Sequence, residues 1–285
     1  MIRILALCLS LLFITDLAAQ SHPAYRLYNH KGRPVRYQHM MRDLLKADVV
    51  LFGELHNDPI AHWLQQEVAE DVFAERPLTL GAEMFETDNQ EALTDYILGR
   101  IEADTLAARA RLWSNYETDY APLVEFARAE GLHFVATNVP RRYASQVYRE
   151  GLESLEALPD QDKAWLPPLP IAYDASLPGY QAMLEMMPAG HGGETFPMAQ
   201  AIKDATMAHF ILRNFEEEFL FLHFNGSYHS DNYEGILWYL KHERPDLEYR
   251  TITTVQQSDI NRCEEENIGT ADYIIVVPDN MTRTY

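Results

Sequence analysis

Short apolar segments alternate with amphipathic segments along most of the chain. Six of them are rich in β-branched or aromatic residues and have the length of buried strands: 49–52, 78–82, 133–137, 219–224, 249–255 and 273–277. Between the first four lie segments with helical spacing: 60–73, 90–98, 121–130 and 199–215. This alternation predicts an α/β fold whose mostly parallel sheet is covered by helices on both faces.

Two local features refine this pattern. Asp58 and Pro59 precede the first helical segment and predict its N-cap and its first position. The stretch 151–197 carries seven prolines and a Gly190-His191-Gly192-Gly193 turn, with no clear strand. We expect it to form a small helical subdomain, a lid, between the third and fourth strands. The predicted α/β domain therefore comprises residues 20–150 and 198–285.

The N-terminus predicts a secretory signal peptide over residues 1–19. Arg3 precedes an apolar run over residues 4–14, and Ala18 and Ala19 offer a cleavage site. The run is shorter than the roughly 20 apolar residues that span a bilayer. We therefore expect an exported protein, periplasmic or associated with the cell surface. The sequence before Cys8 disfavours lipidation, and cleavage would leave Cys263 without a disulfide partner.

Composition excludes one class of partner. The 285 residues are 47% hydrophobic, enough for a substantial core. Acidic residues outnumber basic ones 43 to 23, which gives a formal net charge of -20. A protein that binds nucleic acid through many phosphate contacts needs the opposite balance, so we expect no nucleic acid as partner.

Polar residues follow four of the predicted strands, where ligands bind in open α/β sheets. They are Glu54, His56, Glu83, Asn138, Asn225 and His229. Two imidazoles and two carboxylates could hold a divalent metal such as zinc, manganese or iron, which activates water for hydrolysis. For Asn225 and for His223 a hydrogen-bonding role at the strand end is favoured. For Glu54 and Glu83, each close behind a glycine, a functional role is favoured.

The same residues carry a resemblance to a known family. Gly53-Glu54-Leu55-His56 and Gly226-Ser227-Tyr228-His229 are two Gly-x-x-His motifs, and Glu83 lies between them in an Ala-Glu-Met-Phe context. Supporting matches are Trp113, Tyr120-Ala121-Pro122, Asn138-Val139-Pro140-Arg141, and Ala199-Gln200 with Asp204 and Met207-Ala208. Over residues 49 to 240 the chain resembles the ChaN branch of the superfamily that also contains Tiki, TraB and the erythromycin esterases.

This resemblance implies a haem-binding protein of iron uptake with a Rossmann-like domain and a small helical domain. It implies a homodimer in which two haems lie face to face, each iron held by a tyrosine, with histidine and lysine of the partner reaching the propionates. An outer-membrane haem receptor system is a further implied partner. Tiki relatives instead imply a metal-dependent peptidase, in which Glu54, His56, Glu83 and His229 would be metal ligands or base.

Candidates for haem contacts follow from this expectation. Tyrosine is a known ligand of haem iron, and the regions expected to edge the cleft or lid contain Tyr116, Tyr120, Tyr143, Tyr173, Tyr180 and Tyr228. For any single tyrosine, a half-buried structural role is favoured. Arg141 and Arg142 could bind propionates, although a solvated helix start is an equal alternative. His191 is a second candidate ligand.

Three functions thus stay open at the level of sequence. A haem-binding protein is favoured, because the matches outside the two Gly-x-x-His motifs are those of the ChaN branch. A metal-dependent hydrolase is the alternative, and both sites could coexist. The third is an exported α/β scaffold whose site has lost its ligand.

Overall fold

The structure is a computed structural model that describes residues 22–186 and 193–285. The predicted signal peptide with Cys8, and the candidate ligand His191, lie outside the described residues. No helix within the described ranges is long and apolar enough to cross a membrane.

Seven strands of the described chain form one sheet. They are β1 (Arg26–Asn29), β2 (Val49–Glu54), β3 (Leu78–Glu86), β4 (His133–Asn138), β5 (Leu220–Gly226), β6 (Tyr249–Gln257) and β7 (Tyr273–Pro278). Their order is β1-β7-β6-β2-β5-β3-β4. Only β1 runs antiparallel to its neighbour, β7. The prediction of an α/β fold with a mostly parallel sheet is therefore confirmed.

Ten α-helices connect and flank these strands within the described residues. They are α1 (Tyr37–Leu44), α2 (Pro59–Phe73), α3 (Gln90–Ile97), α4 (Ala103–Arg109), α5 (Ala121–Glu130), α6 (Arg141–Glu150), α7 (Asp160–Lys163), α8 (Pro178–Met186), α9 (Thr195–Arg213) and α10 (Ile236–Glu243). The four predicted helices correspond to α2, α3, α5 and α9. Asp58 caps α2 as predicted, because its side chain accepts hydrogen bonds from the backbone N–H groups of Ile60 and Ala61.

The alternation of side chains along β2 divides the core into two layers. Val50 and Phe52 pack in a cluster with residues of α1, α2 and α5. Val49 and Leu51 pack on the opposite face with α9 and α10. Because successive side chains of a strand point to opposite faces, a fully apolar strand is what a sheet covered on both sides requires.

The segment predicted as a lid packs against α6 and α9. Leu155 and Leu166 share a cluster with Val147 of α6 and Ile202 of α9. Tyr180 and Met183 of α8 pack on Ala201 of α9. The predicted boundary at residue 197 falls inside α9, which begins at Thr195.

Candidate functional site at the carboxyl edge of the sheet

The carboxyl ends of the three central strands β2, β5 and β3 meet at one edge. Glu54 is the last residue of β2 and lies beside Gly226, the last residue of β5. Glu83 lies in β3 where the register with β4 shifts between Ala82 and Glu86. His229 ends the short helical turn Ser227–His229 that follows β5. The structure thus brings together the four residues that the two Gly-x-x-His motifs and Glu83 predicted.

Glu54 is the centre of the first hydrogen-bonded cluster. Its side chain is almost fully buried, and its Oε1 accepts from the Tyr120 hydroxyl at 2.7 Å and contacts Nδ1 of His56 at 2.9 Å. The other oxygen accepts from Gln65 Nε2. Burial by itself would lower the pKa of His56, but the hydrogen bond to Glu54 and the charge of Glu83 raise it above its ordinary value.

Further buried polar side chains contact this cluster on the side away from the cleft opening. His62 Nδ1 lies 3.5 Å from Glu54 Oε2, and its Nε2 lies 3.6 Å from Asp119 Oδ2. Asp119 accepts hydrogen bonds from Asn115 Nδ2 at 2.6 Å and from Thr284 Oγ1 at 2.8 Å. Buried polar groups in such a network hold one another in place. The C-terminal residues therefore help to fix the floor of the site.

A second cluster forms around His229. Its Nε2 lies 3.2 Å from Glu83 Oε1, and its Nδ1 is hydrogen-bonded to Asp204 of α9. Burial would lower the pKa of His229, but the two carboxylates raise it to about 9. Burial would raise the pKa of Glu83, yet the charge of His229 holds it well below its usual range. For Asp204 burial prevails and the pKa is raised. His229 is therefore protonated at neutral pH.

Gly226 connects the two clusters. Its N–H donates to Glu83 Oε2 at 2.7 Å. A Cβ at this position would lie 2.8 Å from Cε1 of the His56 ring, closer than side chains approach in proteins. The imidazole of His56 thus lies against the Gly226 backbone, next to the carboxylate of Glu83. This explains in physical terms why the second motif has a glycine here.

The predicted metal site is not supported. Across residues 22–186 and 193–285 no group of three or more His, Cys, Asp or Glu side chains is arranged to hold a metal ion. Glu54 is engaged by Tyr120, Gln65 and His56, while both nitrogens of His229 face carboxylates. The four residues form two separate carboxylate–histidine pairs, Glu54 with His56 and Glu83 with His229, and not a single set of ligands around one metal ion.

An open cleft of about 600 Å³ lies above these pairs. Its lining combines His56 and His229 with the cation of Lys203 and the apolar side chains of Met183 and Phe196. Tyr228 also lines the cleft and is 45% exposed. Its hydroxyl donates to the Gly179 carbonyl at 2.9 Å. The cleft therefore offers a phenol, a cation and an apolar wall to one ligand.

Four of the six tyrosines considered as haem ligands are buried. Tyr116, Tyr120, Tyr143 and Tyr180 are each at most 7% exposed. Burial, and then the charge of Glu54, raise the pKa of Tyr120 far above its ordinary value, so a phenolate is disfavoured there. Burial likewise raises the pKa of Tyr116. Tyr228, in contrast, presents an exposed phenol to the cleft.

The predicted basic pair does not line this cleft. Arg141 and Arg142 begin α6, and the cation that lines the cleft is Lys203. Arg142 Nη1 lies 2.6 Å from Asp88 Oδ2, and its guanidinium stacks over the rings of Tyr143 and Trp165. Its charge is thus already matched by a carboxylate within the fold.

The remaining strand-end residues have structural contacts. His223 is fully buried between Thr137 Oγ1 at 2.7 Å and Asn225 Oδ1 at 3.1 Å. Burial lowers the pKa of His223 to about 4, so it is uncharged at neutral pH. Asn225 donates to the Gly226 carbonyl and to Ser230 Oγ. Asn138 is buried at the end of β4. The hydrogen-bonding interpretation of His223 and Asn225 agrees with these contacts.

Sequence reasoning assigned no role in the site to several residues that form it. Asp204 and Lys203 come from one turn of α9, and Gln65 and His62 come from α2. A charged residue inside an otherwise apolar helix face was the available signal for Asp204, which is 1% exposed. Buried charges are normally paired, so a partner at the sheet edge could have been sought.

Comparison with known proteins identifies relatives at the level of family and fold. The family described as haem-binding uptake, Tiki superfamily, ChaN matches residues 40–240. The ChaN protein of Campylobacter jejuni, whose structure describes cofacial haem binding, superposes with a TM-score of 0.66 at 18% identity, over 89% of this chain and 96% of that one. A mutant erythromycin esterase in its open conformation gives a TM-score of 0.52 at 12% identity, over 90% and 98%.

A sequence relative comes from a plant. The chain is 23% identical over 186 residues to the chloroplastic protein RETICULATA-RELATED 5 of Arabidopsis thaliana. The match covers 60% of this chain and only 25% of the relative. The chain thus spans about a quarter of the length of that protein.

Proposed function

The chain belongs to the ChaN family of haem-binding uptake proteins within the Tiki superfamily, and from this premise we propose that it binds haem in the cleft at the carboxyl edge of its sheet. The proposal includes export and a role in haem or iron uptake. Haem would supply the iron centre, and the side chains of this chain would hold and orient it.

The chemistry of the cleft lining is the observation that carries this proposal. Haem needs apolar contact for its ring, a cation for its propionates and a donor atom for its iron. Met183 and Phe196 supply apolar surface, and methionine adapts to flat ligands. Lys203 supplies the cation in a chain whose net charge is -20. These groups lie in one cleft of about 600 Å³, within the range of small-molecule and cofactor sites.

Tyr228 is the tyrosine that best fits the role of iron ligand. Phenolate oxygen is a known ligand of haem iron. Tyr228 is 45% exposed and, among the residues that the structure describes, its hydroxyl makes a single hydrogen bond, to the Gly179 carbonyl. Ligation requires the phenol to give up that bond and its proton. Burial and the charge of nearby carboxylates, Glu234 first, also raise the pKa of Tyr228, but its hydroxyl bonds to a carbonyl, whereas Tyr120 would have to ionise in direct contact with the Glu54 carboxylate.

The open rim of the cleft also supports a homodimer as part of the proposal. A side chain as large as Tyr228 is normally covered when it is used in binding. In a dimer that pairs two such clefts, a haem on each protomer would be covered by the partner. Recognition by an outer-membrane haem receptor system would follow from a role in uptake.

Titration with haemin tests the proposed site. The protein lacking residues 1–19 is expected to give a saturable Soret shift at a fixed ratio of haem to chain. Lys203→Gln removes the cation for a propionate, and loss of one charge-assisted hydrogen bond is expected to weaken affinity about tenfold. Lys241→Gln, a lysine on α10 outside the cleft, is the matched control. Absence of saturation, or an equal effect of both variants, would contradict the proposal.

The contacts of the two glutamates disfavour the hydrolase alternative. Its metal would need the carboxylates of Glu54 and Glu83, and both are engaged by buried partners.

A further inference from the structure

A second pocket of about 550 Å³ lies at the other end of α9. Lys203 and Gln200 of the cleft come from the first half of this helix, while His209 and Arg213 line the second pocket. At 1.5 Å per residue, Lys203 and Arg213 are about 15 Å apart along the helix axis. Because α9 ends just before β5 begins, this pocket lies near the amino ends of the strands.

The walls of the pocket are apolar and held in place. Pro167, Pro168, Pro170 and Ile171 form one wall, and Ala208 and Leu212 of α9 form the other. The Tyr239 hydroxyl of α10 donates to the Ala172 carbonyl at 2.8 Å and ties the proline-rich segment to the helices. Prolines have restricted backbones, so the wall is rigid before any ligand arrives.

The charges around this pocket leave one cation unmatched. Arg244 is engaged by both oxygens of Asp246, at 2.9 and 2.8 Å. Within the described residues Arg213 has no carboxylate in ion-pair contact, and its guanidinium lies over the Phe210 ring. Burial and the nearby charge of Arg213 lower the pKa of His209. The Arg213 guanidinium beside the pocket therefore has no carboxylate in direct contact within the part of the chain that the structure describes.

We propose that this second pocket binds a small amphipathic monocarboxylate, with its carboxylate on Arg213 and its hydrocarbon between the proline-rich segment and α9. A guanidinium presents paired N–H donors that match a carboxylate. Glu243 also lines the pocket and repels any anion there, and because this repulsion grows with the charge of the ligand, a monoanion is favoured over a doubly charged phosphate. The pocket volume is within the range that small-molecule ligands occupy. The site is independent of the haem cleft.

Calorimetric titration with octanoate and with octan-1-ol tests this inference, because the two probes share a chain and differ in charge. Octanoate is expected to bind with a stoichiometry of one molecule per chain. The affinity for octanol is expected to be at least about tenfold lower, since the alcohol forms no charge-assisted hydrogen bond. Arg213→Gln should lower the affinity for octanoate by about tenfold and leave the affinity for octanol unchanged. Arg149→Gln, an exposed arginine outside the pocket, should change neither. Arg213 is exposed, so the variant is expected to fold, and its urea midpoint verifies this.

Three results would overturn the inference. Equal affinities for octanoate and octanol would mean that the carboxylate is not recognised. An unchanged octanoate affinity in Arg213→Gln would exclude that guanidinium as its partner. Loss of octanoate binding in Lys203→Gln would place the ligand in the haem cleft instead.

Discussion

Replacing His229 tests the buried charge arrangement beneath the cleft. The imidazolium lies between Glu83 and Asp204, which are 5% and 1% exposed. His229→Gln keeps a hydrogen-bonding side chain and removes the positive charge. Two buried carboxylates then face each other without a cation, and such an uncompensated charge is strongly destabilising.

The magnitude follows from the pKa of His229. An increase from the ordinary value of 6.5 to about 9 corresponds to about 3 kcal/mol of preference for the charged form. Breaking a buried ion pair typically costs about 3 to 5 kcal/mol. We therefore expect His229→Gln to lower the free energy of unfolding by about 3 kcal/mol at pH 6.

The sign of the pH dependence is fixed by the same shift. The pKa of His229 is higher in the folded state than in the unfolded state, so folding favours the protonated imidazole. Its stabilisation is complete below pH 6.5 and is lost as the pH rises towards about 9. The stability difference between wild type and His229→Gln should shrink across that window.

Urea unfolding followed by tryptophan fluorescence measures this difference at several pH values. His223→Gln is the matched control, because His223 is equally buried but has a pKa of about 4 and stays neutral. Because only the unfolded imidazole of His223 takes up a proton as the pH falls to 6, the cost of His223→Gln should rise slightly from pH 6 to about 7.5 and then stay constant, which is the opposite trend to that of His229→Gln. Adding Asp204→Asn to His229→Gln should recover part of the loss, since one unpaired carboxylate is removed. A cost below about 1 kcal/mol for His229→Gln, or one independent of pH, would refute the reasoning.

Three other substitutions probe the local structure of the site. Gly226→Ala should push the His56 ring away from Glu54 and lower the pKa of His56, measured by NMR titration of its imidazole; an unchanged pKa would contradict the close packing. Tyr120→Phe should cost about 1.5 to 3 kcal/mol in urea unfolding, because the hydroxyl donates to a buried carboxylate; a neutral effect would mean that this hydrogen bond does not stabilise the fold. Asp58→Ala should cost about 1 kcal/mol through loss of the α2 cap, and a variant as stable as wild type would exclude the cap.

Much of the fold was predictable because its strands are apolar on both faces. The six predicted strands correspond to β2 to β7: β2 and β7 are largely apolar runs and β6 is rich in β-branched residues, which are the patterns expected in a covered sheet. β1 was missed because it is a four-residue antiparallel edge strand with only two buried residues, Leu27 and Tyr28. Helix α6 begins three residues after β4 ends, and α10 follows β5 after two short helical turns, so motif and turn residues masked the helical spacing of both.

The sequence predicted where the site lies in the fold, but it did not predict which side chains contact one another there. Parallel strand ends share an edge, so Glu54, Glu83 and His229 could be expected to meet there. Their partners could not be derived from spacing, because Tyr120 is 66 residues from Glu54 and reaches it from the turn before α5. Asp204 arrives from α9 on the other side of the sheet edge. Such contacts depend on how helices pack, which periodicity does not specify.

The absorption spectrum of the ferric haem complex is the most direct test of the central claim. Haem bound to the wild-type protein should have the spectrum of a phenolate-ligated iron, and Tyr228→Phe should abolish it. Tyr148→Phe removes the hydroxyl of a tyrosine that is 40% exposed outside the cleft, and should leave the spectrum unchanged. A Tyr228→Phe complex with the wild-type spectrum would contradict the assignment of the iron ligand to this cleft.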